Sequence, residues 1–416
     1  MFLKKISFVL IISFCAVCFV AHAAEPDWNQ FRGPNSDNMA FSTGLLKTWP
    51  EGGPKVIQKI EGLGTGYSNF SFDAKRMYTL GDLGDSCCVM ALDRKTRKIL
   101  WSTPIGKSGQ VGRYYGPRAT PATDGKTVFA FSQFGDFASV DAETGKLNWT
   151  KNVSAEFGGK YMGSWGYATS PVLEGDLIVL QIGGEKGTLA AFSRDGKIVW
   201  RSAELKDDAS YATAVPAEID GVRQFLVFTP GGISGIDAKN GKRLWFGDRP
   251  SSRAICSDPI YKDGVVYVSS GYKYGCNGFR VTHEAGVFHA EEIYADAKME
   301  SHHGGVVLVG DHVYLLTNNQ SLACQEIATG EVVWETREVR KGSLTYADGH
   351  LIIREERAGG AIILVEANPK EFVEKGRFSW SDFSEKQNWT YPLIVDGMMF
   401  IRDQDVTLVY DLRAGR

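Results

Sequence analysis

The sequence predicts an all-β fold: an eight-bladed β-propeller of four-stranded antiparallel blades, its ring closed by pairing of the N- and C-terminal strands. Three features carry that expectation. An apolar hairpin around an acidic-glycine turn recurs eight times. A second hairpin, ending on tryptophan, falls between the copies. Each end of the chain holds the strand that the other end lacks.

The first hairpin reads PATDGKTVFAF from Pro121, PVLEGDLIVLQ from Pro171, AEIDGVRQFLVF from Ala217 and PIYKDGVVYVSS from Pro259. It continues as VLVGDHVYLLT from Val307, TYADGHLIIRE from Thr345 and LIVDGMMFIRD from Leu393, with a weaker first copy, FSFDAKRMYTLG, from Phe70. The turn glycine supplies the positive φ that a primed hairpin turn needs. The average spacing, roughly 46 residues, is the period of a propeller blade.

The second hairpin reads ALDRKTRKILW from Ala91, SVDAETGKLNW from Ser139, AAFSRDGKIVW from Ala190, GIDAKNGKRLW from Gly235 and QEIATGEVVW from Gln325. Its tryptophan stands four residues after the turn glycine, or after Arg97 in the first copy: Trp101, Trp149, Trp200, Trp245 and Trp334. Degenerate copies put Ala290 and Glu374 at the equivalent place. Blade faces pack on neighbouring blades, so a large flat ring at one fixed position is expected to dock each blade on the next. Two hairpins per period make one four-stranded blade.

The last copy breaks off. LVYDLRAG begins a second hairpin at Leu408, and the sequence ends at Arg416 before the tryptophan strand. PKVIQKI from Pro54 matches that strand, with Gln58 in the tryptophan's place. Lys55 to Ile60 is therefore expected to complete the eighth blade and remove an open sheet edge. The organisation that follows is a leader over 1–23, an extension packed on the propeller over 24–53, and the propeller itself over 54–416.

The leader is read from Lys4 and Lys5, an apolar run from Ile6 to Val20, and Ala21-His22-Ala23 as a cleavage site. Export to a periplasm or out of the cell is expected, with cleavage after Ala23. Cys15 and Cys18 lie inside the apolar run without a lipoprotein cleavage box around them. The remaining chain has 44 basic and 49 acidic residues, a balance that disfavours a nucleic-acid partner. No later stretch has transmembrane length. Five cysteines remain, too few for a disulfide scaffold, and a monomer is expected.

The near-complete pattern from Ser139 to Trp149 resembles the tryptophan-docking repeat of the pyrroloquinoline-quinone (PQQ) propeller superfamily. Trp28-Asn29-Gln30-Phe31-Arg32-Gly33-Pro34-Asn35 resembles the opening of a group of secreted bacterial PQQ-like proteins. The superfamily joins quinoprotein alcohol dehydrogenases to BamB-like scaffolds of outer-membrane assembly, so the resemblance implies the fold and leaves two functions. A quinoprotein alcohol or sugar dehydrogenase would take PQQ as acceptor, with calcium held by Glu, Asn and Asp side chains and an Asp base. Asp85, Glu185, Asp258, Asp403, Asn318 and Asn319 fall on the relevant face, and none matches that set residue by residue. Those enzymes also carry a disulfide between adjacent cysteines, which would fall on Cys87-Cys88; the favoured reading of the same two residues is small side chains entering a strand. BamB-like scaffolds are normally lipid-anchored, and no anchoring cysteine is recognised here.

The longer connections of such blades fall on one face of the ring, where function usually sits. Residues just before each innermost strand there include Arg113, Tyr114, Tyr115, Arg118, Tyr161, Trp165 and Tyr167. Tyr211, Arg253, His302, His303, Lys341 and Trp389 hold similar places in later blades. Aromatic rings with cations around a funnel suit a sugar, an aromatic or an anionic ligand. The candidate ligand set is Arg113, Arg118, Trp165, Tyr211, Arg253, His302, His303, Lys341 and Trp389. Cys256 and Cys276 lie near the loop ends of one blade and are a candidate local disulfide. His302-His303 with His283 and His289 lacks the spacing of a zinc site. With no nucleophile motif, P-loop or dinucleotide fingerprint, the expectation is an exported, non-catalytic binding or scaffold protein for a protein or glycan ligand. It would use no cofactor; PQQ with calcium belongs to the dehydrogenase alternative. Mass spectrometry of the secreted protein is expected to find Ala24 as its first residue; an intact Met1 would sink the leader reading.

Overall fold

Each sequence period folds as one antiparallel four-stranded sheet, and eight such sheets are present in the computed structural model, which describes residues 26–251, 253–356, 360–380, 384 and 386–415. The leader expected over 1–23, with Cys15 and Cys18, lies outside those residues. The first blade runs Ser71–Phe72, Arg76–Leu83, Ser86–Asp93 and Ile99–Lys107, from the axis outwards. The eighth takes Leu393–Val395, Met398–Asp403 and Val406–Asp411 from one end of the chain. Val56–Ile60 comes from the other end as its outermost strand, pairing Gln58 with Val409 and Ile60 with Thr407. The predicted closure is the observed one.

Buried apolar side chains fill the spaces between blades: Val89 and Ala91 of the first meet Phe129 and Ala138 of the second, which meet Ile178 and Phe192 of the third. The tryptophans set the register of that packing. Trp101, Trp149 and Trp200 each lie over the turn glycine of the next blade, Gly145, Gly196 and Gly241. A Cβ on those glycines would stand 2.7, 3.0 and 2.5 Å from the ring, and all three have positive φ. Glycine and tryptophan are thus two halves of one contact, for a side chain at the turn would push the blades apart. The indoles of Trp101, Trp149 and Trp334 also donate to carbonyls of the next blade, Ala142, Arg194 and Asn368. Where Arg97 replaces the turn glycine, the preceding blade offers Gln58, which donates to the Thr96 carbonyl at 3.0 Å and accepts from Arg97 at 3.0 Å. The pair is exchanged as a pair.

A one-residue register shift marks the docking position in every blade, and it corrects two assignments made by counting from the turn. In the fifth blade the position belongs to Tyr294, not Ala290. Its outer hairpin is extended, with strands Gly275–Glu284 and Val287–Asp296, so the turn has moved outwards. Tyr294 covers Gly330 and donates to the Ile327 carbonyl at 2.7 Å. In the seventh blade the position is Gly376, not Glu374. Trp49 of the N-terminal extension packs there and meets Phe378 edge-on. Trp245 shares a core cluster with Phe279 and Val281 of the fifth blade and donates within its own blade, to Gln224.

Around the axis a second set of contacts joins the blades. The amide of Asn69 donates to Thr120 Oγ1, that of Thr120 to Ser170 Oγ, that of Ser170 to Thr213 Oγ1, and that of Thr213 to Asp258 Oδ1. Each donor sits one blade before its acceptor. Gly305 leaves space at the next step of the ring, and the guanidinium of Arg32 approaches it. Arg32 pairs with Asp258 at 3.5 Å, donates to the Val306 carbonyl and is 4% exposed.

Arg32 belongs to an extension that closes the axis. The Trp28 carbonyl accepts from Phe72 and the Asn29 carbonyl from Thr123. Gln30 Oε1 accepts from Leu173, Asn38 donates to Leu344, and Met39–Ala40 pairs in parallel with the innermost strand of the seventh blade. These contacts fall at the turn ends of the innermost strands. Trp101→Ala is expected to cost about 3 kcal/mol, and Gly145→Ala about 1 kcal/mol or more from positive φ and the ring contact. Guanidinium unfolding of both singles and the double should show coupling; additive losses would separate the two halves of the contact.

Candidate functional site

Above the plug, on the face of the longer connections, the described residues enclose a cup of about 350 Å³ on the axis. The fold brings seven of the nine expected ligand residues to its wall: Arg118, Trp165, Tyr211, His302, His303, Lys341 and Trp389. Arg113 is exposed away from the wall, and Arg253 stands at the rim, its guanidinium 5.6 Å from the Tyr272 ring. Tyr114 joins the wall, whereas Tyr115 is half exposed to solvent. Tyr161 and Tyr167 pack on each other, and Tyr167 is buried with its hydroxyl donating to the Ile182 carbonyl. They build the blade rather than the site.

The wall is a continuous aromatic belt. Tyr211 lies 5.2 Å from Trp165, Trp165 lies 6.4 Å from His302, and His302 lies 5.3 Å from His303. His303 is followed by Trp389 at 6.0 Å, which touches Tyr67 and Tyr114 at 4.7 and 4.6 Å. The plug contributes Phe31, edge-on to Tyr391, whose hydroxyl accepts from the Arg32 amide. Sequence reasoning missed Tyr272 and Glu356 because both come from the loop between the two middle strands of a blade, whereas the candidate ligand set was drawn from residues before the innermost strands. It missed Phe31 and Tyr391 because nothing in the repeat pattern tells that the extension enters the axis.

The charged groups fall into two sets. Glu356 accepts from Lys341 Nζ at 3.0 Å and from the Trp389 indole at 3.0 Å. Burial alone would raise its pKa, but His303, Lys341 and that indole together hold it below the usual carboxylate value. Arg118 sits apart, donating to the carbonyls of Gly116 and Tyr114 at 2.5 and 3.0 Å, with Tyr67 5.9 Å from its guanidinium. Burial lowers its pKa, opposed by Tyr67 and Asp82. His302 and His303 share one contact, Nδ1 to Nδ1 at 3.2 Å. Burial, joined by Lys341 and opposed by Glu356, holds His302 at about 4. Burial likewise holds His303 at about 3, so both rings are neutral at pH 7.

All five cysteines of the described residues are free thiols in this structure, those of the two candidate disulfides included. Cys87 and Cys88 lie in the extended strand Ser86–Asp93, where neighbours point to opposite faces. Cys87 is sealed between the first two blades, and neither residue reaches the cup. Cys256 lines the cup, while Cys276 faces Gln325 between the fifth and sixth blades. The carboxylates weighed for a calcium set are equally dispersed. Asp258 holds Arg32 and the Thr213 amide, Asp403 accepts from Ser384, and Glu356 is the acid on the wall among the described residues. Those residues include no group of three His, Cys, Asp or Glu placed to hold a metal ion. His283 stacks on Phe288 far out on the fifth blade.

Eight four-stranded blades around a central cup, four of their joints docked aromatic-on-glycine, define a PQQ-like β-propeller. A family model described as outer membrane protein assembly factor BamB matches residues 87–336, more than half of the chain, and the chain belongs to that family. The BamB of Yersinia pestis is 25% identical over 332 residues, covering 74% of this chain and 76% of its own. That of Shewanella oneidensis is 22% identical over 276 residues, and the match spans 63% of this chain and 66% of the relative. Among solved structures, BamB from Moraxella catarrhalis superposes with a TM-score of 0.59 at 14% identity, over 87% of this chain and 98% of that one. A europium-containing methanol dehydrogenase gives 0.52 at 12% identity, over 90% and 89%. At those identities the likeness is one of fold. No helix among the described residues is long and apolar enough to cross a membrane.

The histidine pair makes stability depend on pH. Unfolded imidazoles take up protons near pH 6.5, whereas the folded ones resist until about 4 and about 3. The stability they contribute is therefore present above pH 6.5 and falls as pH drops through that window. Between pH 7 and pH 5 the loss should be about 1–2 kcal/mol for the pair, reduced from the full linkage value by partial exposure. Urea midpoints at the two pH values test this, and a His302→Gln/His303→Gln protein should show a smaller difference.

Proposed function

We propose that this chain is an exported, non-catalytic binding protein that holds a segment of a protein or glycan ligand in its closed cup. The observation that carries this reading is the plug: it turns the axis into a blind, aromatic-walled recess that a ligand can enter and not pass through. Membership of a family described as an assembly factor supports a scaffold with a macromolecular partner. The wall supplies contact area and hydrogen-bonding groups, the means of holding a ligand.

The dehydrogenase alternative asks for residues that are placed elsewhere. The adjacent cysteines are buried in the first blade, and the wall acid is already engaged by Lys341 and Trp389. We therefore expect the protein to work without PQQ. Calorimetry of the mature protein with PQQ and calcium should give no binding, and a dye-linked alcohol oxidation assay no reduction; tight binding with dye reduction would make it a quinoprotein. A photo-crosslinking residue at the rim position Tyr272 should trap a partner in the export compartment, whereas one at Leu100, exposed on an outermost strand, should not.

A further inference from the structure

We propose that the cup is selective for a sugar acid, its carboxylate paired with Arg118 and its ring held along the aromatic belt between Trp165 and Trp389. This rests on the reading of the cup as a ligand recess and names what enters it. Three observations carry it.

The first is a cation without an ion pair; Asp82, the acid whose charge reaches it, is itself engaged by the Gly109 amide and Gln133. Of the two cations on the wall, Lys341 is neutralised by Glu356, while Arg118 makes no ion pair among the described residues and donates only to backbone carbonyls. A guanidinium held in such a recess favours an anion, and its planar fork matches a carboxylate. Glu356 is bonded on the Lys341 side, so one region of the wall attracts an acid while another presents an acceptor.

The second is the histidine pair. Two neutral imidazoles that share an Nδ1–H···Nδ1 bond must hold complementary tautomers. One then presents an Nε2–H donor and the other a bare Nε2 acceptor. Both Nε2 atoms are buried without a partner, which is costly unless a ligand supplies one. A hydroxyl, donor and acceptor at once, satisfies either. His303 Nε2 stands 3.9 Å from Glu356 Oε1, close enough for one ligand hydroxyl to reach both. A plain aromatic acid would leave these groups unmet. A polyhydroxylated ring would not.

The third is the wall itself. Trp165 and Trp389 offer flat apolar faces on either side of the histidines, suited to the C–H faces of a pyranose. A recess of about 350 Å³ accepts one or two such rings and closes below them.

The test is calorimetry of the full mature protein with D-glucuronate, its methyl ester, D-glucose and benzoate. Glucuronate should bind, with the ester, glucose and benzoate each weaker by roughly tenfold or more. Arg118→Gln should bring glucuronate down to glucose, with an unchanged melting temperature as the check on folding. The ester comparison needs no variant and stands if Arg118→Gln fails to fold. Equal binding of acid and ester, tighter binding of benzoate, an undiminished affinity after Trp165→Ala/Trp389→Ala, or no binding of glucuronate would each overturn the proposal. If the Tyr272 crosslinker still traps a partner in that event, the cup remains a ligand recess and only the sugar acid is wrong. If neither binds, both readings fall.

Discussion

The contact between a docking aromatic of one blade and the turn glycine of the next is what the rest of this molecule depends on. A four-stranded sheet with two apolar faces has no stable existence alone; it needs a neighbour on each side, set at a fixed angle. The ring of Trp101 on Gly145, repeated as Trp149 on Gly196 and Trp200 on Gly241, fixes that angle by refusing any side chain at the turn. Tyr294 on Gly330 keeps the geometry with a smaller ring. Gln58 with Arg97 keeps it with no ring at all, by hydrogen bonds across the joint where the two ends of the chain meet. The chain tolerates a change of chemistry at a joint provided both partners change.

Because the contact recurs, the fold was legible. Periodic Asp-Gly turns and spaced tryptophans report the same geometry many times, and even the joint at Gln58 could be placed by what each terminus lacked. The failures came where counting replaced geometry. Ala290 and Glu374 lie four residues past a turn, yet the docking position is set by the register shift in the outer pair, and the long hairpin of the fifth blade moves the turn without moving the shift. The cup was legible to the same extent. Arg118, Lys341 and Trp389 stand within a few residues of an innermost strand and face the axis, whereas Arg113, farther back along the same connection as Arg118, does not. Tyr272 and Glu356 reach it from between middle strands, a placement that depends on loop course, and no repeat encodes it.

The buried ion pair of Arg32 with Asp258 ties these levels together. Asp258 ends a run of side chains that each accept an amide from the preceding blade, and an acid there meets the arginine that the extension brings in. Separately each charge would be costly so deep in the protein; together they fasten the plug. The tryptophan–glycine joints hold the rim of the ring, and Arg32 holds its centre.

That plug also gives the molecule a direction. Pro26 and Asp27 lie among the turns of the first two blades, and Asp27 is paired there with Arg94. The chain therefore enters the propeller from the face opposite the one into which the recess opens. Trp165, Trp389 and Arg118 line a recess on the opposite face from Pro26 and Asp27, so a contact made at those two residues leaves the recess unobstructed.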